Sequence, residues 1–284
     1  TPTGDIDVAI KCSLDDWQTD VPLANLALLF RLPISTDGSN WEDTRTIARD
    51  ANGYVTSLAS GQMIRWLLFM DHLAGDHELG DHVFTWDGEG TFSVEFGATN
   101  VASSPGRMTM TVSNGGFCLM QRTLNPANYP KNFKLTRISN TNAVVNDKWL
   151  DNMTPYSTLR FMDWQGTNNS LQSNTPPPPG LLSNEKGCSP SLIAKVCNAT
   201  NKHAWVCIPH LATTGYMAAF CDQLAELRTD LNIYVEYSNE VWNGMFNQSD
   251  YVQQQGLNQN LSGDRYLAAM LFHAKKTVEV GNYF

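Results

Sequence analysis

From Leu159 onward the chain alternates between short apolar runs and amphipathic stretches, and this alternation limits the possible folds more than any other feature. Thr158 to Trp164 reads as a strand. Ser189-Pro190 opens a helix, a cap followed by proline in the first turn, with Leu192, Ile193, Val196 and Cys197 as its stripe. His203 to Ile208 is the next strand and ends at Pro209-His210. Tyr216, Met217, Phe220, Cys221, Leu224 and Leu227 then follow helical spacing. Ile233, Tyr234, Val235 and Tyr237 favour a further strand, and Tyr266, Leu267, Met270, Leu271, Ala274 and Val278 line a last helix. This repeated order implies a parallel sheet covered by helices. Strands apolar almost throughout fit a sheet buried on both faces.

Residues 5 to 12 alternate like a strand, Asp15-Asp16-Trp17 follow, and Val21 to Phe30 can form a helix. With this opening unit the chain holds four βα units, whereas a closed barrel needs eight. The expectation is an α/β chain carrying only the first half of a (β/α)8-type barrel. It would be a fragment, or a half-barrel completed by self-association or by a remaining C-terminal half. The start at Thr1-Pro2-Thr3, without Met or signal peptide, fits a processed or trimmed chain.

Between the first two units, Asn52-Gly53, Asp87-Gly88, Glu89-Gly90 and Gly115-Gly116 separate short apolar runs. His82 to Trp86 and Thr91 to Phe96 make the clearest hairpin, and Arg107 to Val112 alternates as a half-buried strand does. The expected division is residues 1–49 as the first unit, 50–122 as an inserted antiparallel β-sandwich-like module, and 123–284 as units two to four. Within the last, Leu135 to Ile138 reads as a short strand and Val144 to Met153 as a helix ended by Pro155. The module is either scaffolding or a sugar-binding surface. His72, His77 and His82 lie near Asp71, Asp76 and Asp81, but their spacing matches no helix or strand face. No metal and no cofactor are expected.

A net charge of -9 without a basic cluster argues against nucleic acid. No apolar run approaches the roughly 18 residues of a membrane span. None of the six cysteines forms a C-x-x-C pair, which argues against a zinc knuckle. Five Asn-x-Ser/Thr sequons stand at Asn152, Asn168, Asn198, Asn247 and Asn260. Together with an even cysteine count they point to a secreted, disulfide-bonded glycoprotein. The alternative is a cytosolic protein with buried thiols.

The stretch from Asn232 to Asn243 turns from strand to polar at Ser238-Asn239-Glu240, placing a carboxylate at the carboxyl end of a sheet. The bland reading is that Ser238 or Asn239 caps a helix with Glu240 in its first turn. An Asn-Glu pair in this place resembles the (β/α)8-barrel clan of retaining glycoside hydrolases. The string Tyr234-Val235-Glu236-Tyr237-Ser238-Asn239-Glu240-Val241-Trp242-Asn243 is similar to a hydrolase-like branch often labelled cellulose-binding. Leu159-Arg160-Phe161-Met162-Asp163-Trp164, Thr167-Asn168-Asn169-Ser170 and Ile208-Pro209-His210 extend the resemblance.

The resemblance implies polysaccharide as the partner. It makes Glu240 the general acid/base and Asn239 the ligand of the sugar's 2-hydroxyl. Asp163, Trp164 and His210 join them at the barrel mouth, with Trp164 or Trp242 as the floor for a sugar ring. Retaining hydrolysis needs a second carboxylate roughly 5 Å from the acid. In the clan this is a Glu after the seventh strand, which this chain does not include. Ala212-Thr213-Thr214-Gly215-Tyr216 also departs from the family's Ala-Asp-Asp-Tyr. The alternative is a non-catalytic extracellular structural or carbohydrate-binding protein on a degenerate hydrolase fold.

Overall fold

The computed structural model describes residues 10–11, 21–70, 79–113, 116–177 and 187–284. In chain order the first strands are β1 (Ile10–Lys11), β2 (Ile34–Thr36), β3 (Ala48–Arg49), β4 (Val55–Ser57), β5 (Met63–Leu68) and β6 (Gly80–Asp87). Next come β7 (Gly90–Phe96), β8 (Ala98–Ser104), β9 (Arg107–Val112), β10 (Phe117–Leu124) and β11 (Lys131–Arg137). Then follow α1 (Asp147–Met153), β12 (Thr158–Arg160), α2 (Pro190–Thr200), β13 (His203–Ile208), α3 (Thr214–Leu224), β14 (Ile233–Tyr237), α4 (Asn247–Asn258) and α5 (Arg265–Gly281). The class is mixed α/β. The chain divides into two compact units, one of Thr1–Ser13, Asn152–Pro179 and Lys186–Phe284, the other of Leu14–Asp151 and Gly180–Glu185.

The first unit holds a four-stranded sheet in the order β1-β12-β13-β14, and every neighbouring pair is parallel. Helices α2 and α3 supply the crossovers. Ser189 starts α2 by accepting the Leu192 N–H, and Thr213 starts α3 by accepting the Tyr216 N–H. Leu159, Phe161, Ala204, Val206, Ile208 and Tyr237 are buried. The expectation of burial on both faces is corrected. Strand register sets Arg160 beside Trp205 and Cys207 beside Glu236 on the other face, and Arg160, Trp205 and Glu236 are only half-buried there. Charged side chains inside the strands keep that face from being an apolar core. Among the described residues no closed barrel forms, and β14 is an edge strand.

The second unit packs the antiparallel sheets β2-β5-β10-β7 and β11-β6-β9-β8, with β3-β4 as a separate pair. Phe133 meets Trp66, Phe84 and Phe92 edge-on at 5.4, 5.4 and 5.6 Å, an arrangement aromatic rings favour. Three expectations change here. The sandwich runs from β2 to β11, beyond the expected 50–122, because β2 pairs with β5 and β11 with β6. Leu135 therefore belongs to the sandwich and not to the parallel region. Val21 to Phe30 forms only a 3-10 turn at Leu26–Leu29. Asn25 explains this, since its amide donates to the Phe133 carbonyl and accepts the Leu135 N–H, pinning the segment to β11.

The third change concerns β6 and β7, which lie in different sheets and form no hairpin. Glu89 exchanges backbone hydrogen bonds with Asn125 and Asn128. Gly88, at φ 87°, packs where a Cβ would strike the Asn128 and Tyr129 carbonyls. This docked corner turns the chain from one sheet into the other.

Candidate functional site at the strand tips

At the end of β14 the Ser238 N–H still reaches the Ile208 carbonyl at 2.7 Å. The backbone then breaks, with φ 62° at Ser238 and 43° at Glu240. Such left-handed values are costly for residues other than glycine and collect at functional sites. Ser238 and Asn239 are buried, and Glu240 is half-buried. The Asn243 N–H closes a turn on the Glu240 carbonyl at 2.9 Å. The next helix, α4, begins only at Asn247 after Phe246. Ser238 and Asn239 therefore cap no helix, and the bland reading of this stretch fails.

Asn239 is fixed on both sides of its amide. Its Oδ1 accepts from Arg160 Nη2 at 3.0 Å, and its Nδ2 donates to Asn168 Oδ1 at 2.9 Å. Gln248 Nε2 donates to the same Asn168 oxygen at 2.8 Å and to the Asn239 carbonyl at 2.9 Å. The Asn168 N–H in turn donates to Asp163 Oδ1 at 3.2 Å. Asp163 and Asn239 thus meet through Asn168.

Arg160 anchors the other side. Its Nη2 donates to Glu236 Oε2 at 2.6 Å and its Nε to the same oxygen at 3.2 Å. Trp205 Nε1 donates there at 3.0 Å, and Arg160 lies 5.1 Å from the centre of the Trp205 ring. Burial pulls the Arg160 guanidinium down. The hydrogen bond to Glu236, with the charges of Glu236 and Glu240, carries it above its ordinary value. Glu240 is therefore within electrostatic reach of Arg160. Its Oε2 also accepts from Asn243 Nδ2 at 3.0 Å.

Two expected ligands are buried in packing contacts. Trp164 is fully buried, edge-on to Phe161 at 4.8 Å, so it is core and not a floor for a sugar. His210 is buried and packs against Tyr251 at 5.0 Å, and its backbone carbonyl accepts the Tyr237 hydroxyl at 2.9 Å. Burial lowers its pKa. Trp242, 65% exposed, is the aromatic side chain that follows Glu240 into solvent.

Arg160, Trp205, Glu236 and Gln248 were not anticipated as site residues. The signal was an Arg and a Glu inside otherwise apolar strands. The arrangement offers a half-buried carboxylate and an exposed indole, groups suited to a hydroxyl-rich ligand, together with an amide that is oriented but buried. Glu236, the other carboxylate on this face, is already engaged by Arg160 and Trp205.

No disulfide is seen among the described residues. Cys118, Cys188, Cys197, Cys207 and Cys221 are free, and Cys12 lies outside the described residues. Burial pushes the Cys118, Cys188 and Cys207 thiols well up, and Cys197 to about 12, so they behave as inert apolar side chains. Asp71, His72, Asp76 and His77 lie outside the described residues, and His82 is buried in β6. Among the described residues no three acidic, His or Cys groups gather as a metal site, and no helix is long and apolar enough to cross a membrane. A cavity of about 320 Å³, including its open mouth, belongs to the sandwich unit and is lined by Leu26, His82, Arg137, Asn140 and Asp147. Comparison with family models, curated proteins and solved structures returned no match.

Proposed function

We propose that the chain carries the first half of a (β/α)8-type barrel related to the retaining glycoside hydrolases. In this reading it is a secreted protein that acts on or binds polysaccharide through Glu240, Asn239 and Trp242. The observation that carries the reading is the parallel sheet β1-β12-β13-β14, whose strands are adjacent in the order of the chain. Asp163, Asn239 and Glu240 all follow the carboxyl ends of its strands, where barrel enzymes place their chemistry. The open edge at β14 is where a fifth strand would add.

Glu240 would act as general acid/base, and its carboxylate partner would come from outside the described residues. The chain alone is therefore expected to bind polysaccharide without turning it over. Affinity electrophoresis through gels cast with soluble β- and α-linked glucans, mannans and xylans tests this. Asn239→Ala and Trp242→Ala should each weaken retardation by about tenfold, the cost of roughly 1.4 kcal/mol. Retardation by no polysaccharide, or retardation indifferent to both substitutions, rejects the reading.

A second reading has its own observation. In the sandwich unit Trp41 is 47% exposed, yet it is backed by Arg65 and stacked on Phe96. Arg65 lies 4.9 Å from the centre of its ring, donates to the carbonyls of Asn40 and Trp41, and is bound by both oxygens of Glu95. A displayed, fixed indole favours a non-catalytic carbohydrate-binding role for the sandwich. Retardation lost in Trp41→Ala and kept in Trp242→Ala would select it.

A further inference from the structure

We infer that the folded protein discriminates among its five sequons: Asn168 and Asn198 stay unmodified, and N-linked glycans go to Asn152, Asn247 and Asn260. The inference rests on the reading of the chain as exported.

The five acceptor asparagines fall into two groups. Asn152, Asn247 and Asn260 are exposed. Asn152 sits near the end of α1, Asn247 on the first turn of α4, and Asn260 just beyond α4 at φ 52°. Asn168 and Asn198 are instead half-buried, and their amides are structural parts. Asn198 Nδ2 donates to the Glu226 carbonyl at 2.8 Å, and its Oδ1 accepts the Arg228 N–H at 2.9 Å. It thereby ties α2 to the turn before β14. Asn168 Oδ1 takes hydrogen bonds from both Asn239 and Gln248.

Ser170 is 5% exposed and accepts the Gln172 N–H, and Thr200 is 7% exposed and donates to the Val196 carbonyl at 2.9 Å. Burial of the hydroxyl residue does not separate the two groups, since Ser249 of the Asn247 sequon is 0% exposed; the acceptor amide does.

Glycan transfer occurs on the unfolded chain, so burial acts as a filter and not as a block. A sugar on Asn198 Nδ2 replaces a hydrogen beside the Glu226 carbonyl. One on Asn168 must fit among Asn239, Gln248 and Asp163. Either chain crowds an amide that the fold already engages, and is lost before export. The three exposed positions meet no such filter. Asn152 should carry the least, because Pro155 stiffens the segment after the hydroxyl residue Thr154 of its sequon. The consequence for the strand tips is that Asn168 keeps Asn239 oriented and brings no glycan to the mouth.

The test is site mapping on the chain exported from a eukaryotic cell behind a secretory leader. Enzymatic glycan release in heavy-oxygen water tags each formerly occupied Asn as labelled Asp, read by peptide mass spectrometry. Label at Asn247 and Asn260, less at Asn152, and none at Asn168 or Asn198 is the expected map. Asn247→Gln and Asn260→Gln should each raise gel mobility by one glycan, and Asn198→Gln should not. Label on Asn168 or Asn198 in the folded product overturns the inference, as does an exported chain bare at all five positions or a chain that is never exported. Failure of polysaccharide binding leaves this map unchanged, so the two readings fail separately.

Discussion

Arg160 holds two carboxyl-end groups at once, Glu236 through its charge and Asn239 through its amide oxygen. Both partners of the ion pair are 23% exposed, so the pair is neither a screened surface contact nor a dry one. Glu236→Gln should cost about 1–3 kcal/mol, the range for a charged hydrogen bond partly shielded from water. Urea denaturation measures the loss, and polysaccharide retardation should weaken with it because Arg160, one of the groups that orient Asn239, loses its charged partner. An unchanged midpoint would remove Arg160 from its anchoring role.

His210 allows a pH prediction. Burial lowers its pKa, so the folded state disfavours the proton. Stability from the neutral ring is complete above the unfolded value of about 6.5 and is lost as pH falls through the lower folded value. The Tm difference between the wild type and His210→Gln should therefore shrink from about pH 7 to pH 5. A difference that is flat with pH would contradict this.

At the scale of elements, the helical periods and caps were legible because they are local. Ser189-Pro190 marked α2, and Tyr216, Met217 and Phe220 marked the buried face of α3. The corner at Gly88 was not legible. Asp87-Gly88 and Glu89-Gly90 carry hairpin chemistry, and only Asn125, Asn128 and Tyr129, far along the chain, redirect them. The 3-10 turn at Leu26–Leu29 was hidden for the same reason, since Asn25 answers to β11.

The pairing of α4 with α5 gives a further test. Gly256 is buried, and a Cβ there would strike the Ala268 carbonyl. Gly256→Ala should cost about 1–3 kcal/mol by overpacking, read as a lower Tm. A neutral result would show that α5 can retreat from α4. Trp164→Ala, emptying a fully buried site, should cost about 3–5 kcal/mol in the same assay.

Over the whole molecule, the parallel unit leaves apolar surface without cover. On α5, Ala268, Ala269, Phe272 and Val280 are buried, while Leu267, Leu271 and Val278 are 50%, 42% and 68% exposed. Together with the edge at β14, this is surface that a stable isolated domain seldom displays. The native chain should enhance the fluorescence of the dye ANS, and Leu267→Lys with Leu271→Lys should abolish most of that signal without altering far-UV circular dichroism. Native protein that leaves the dye dark would mean that the stripe is covered.

The sequence by itself determined the alternation of β12, α2, β13, α3 and β14, the cap of α2, and the carboxylate at the end of β14. Each depends on residues within a few positions of one another. Only the tertiary structure decided that β6 and β7 part into different sheets, that Trp164 and His210 are packing residues, and that Asn168 joins Asp163 to Asn239. Those outcomes depend on which groups reach the same space from distant parts of the chain, and burial gives a side chain its role only after the backbone has placed its neighbours.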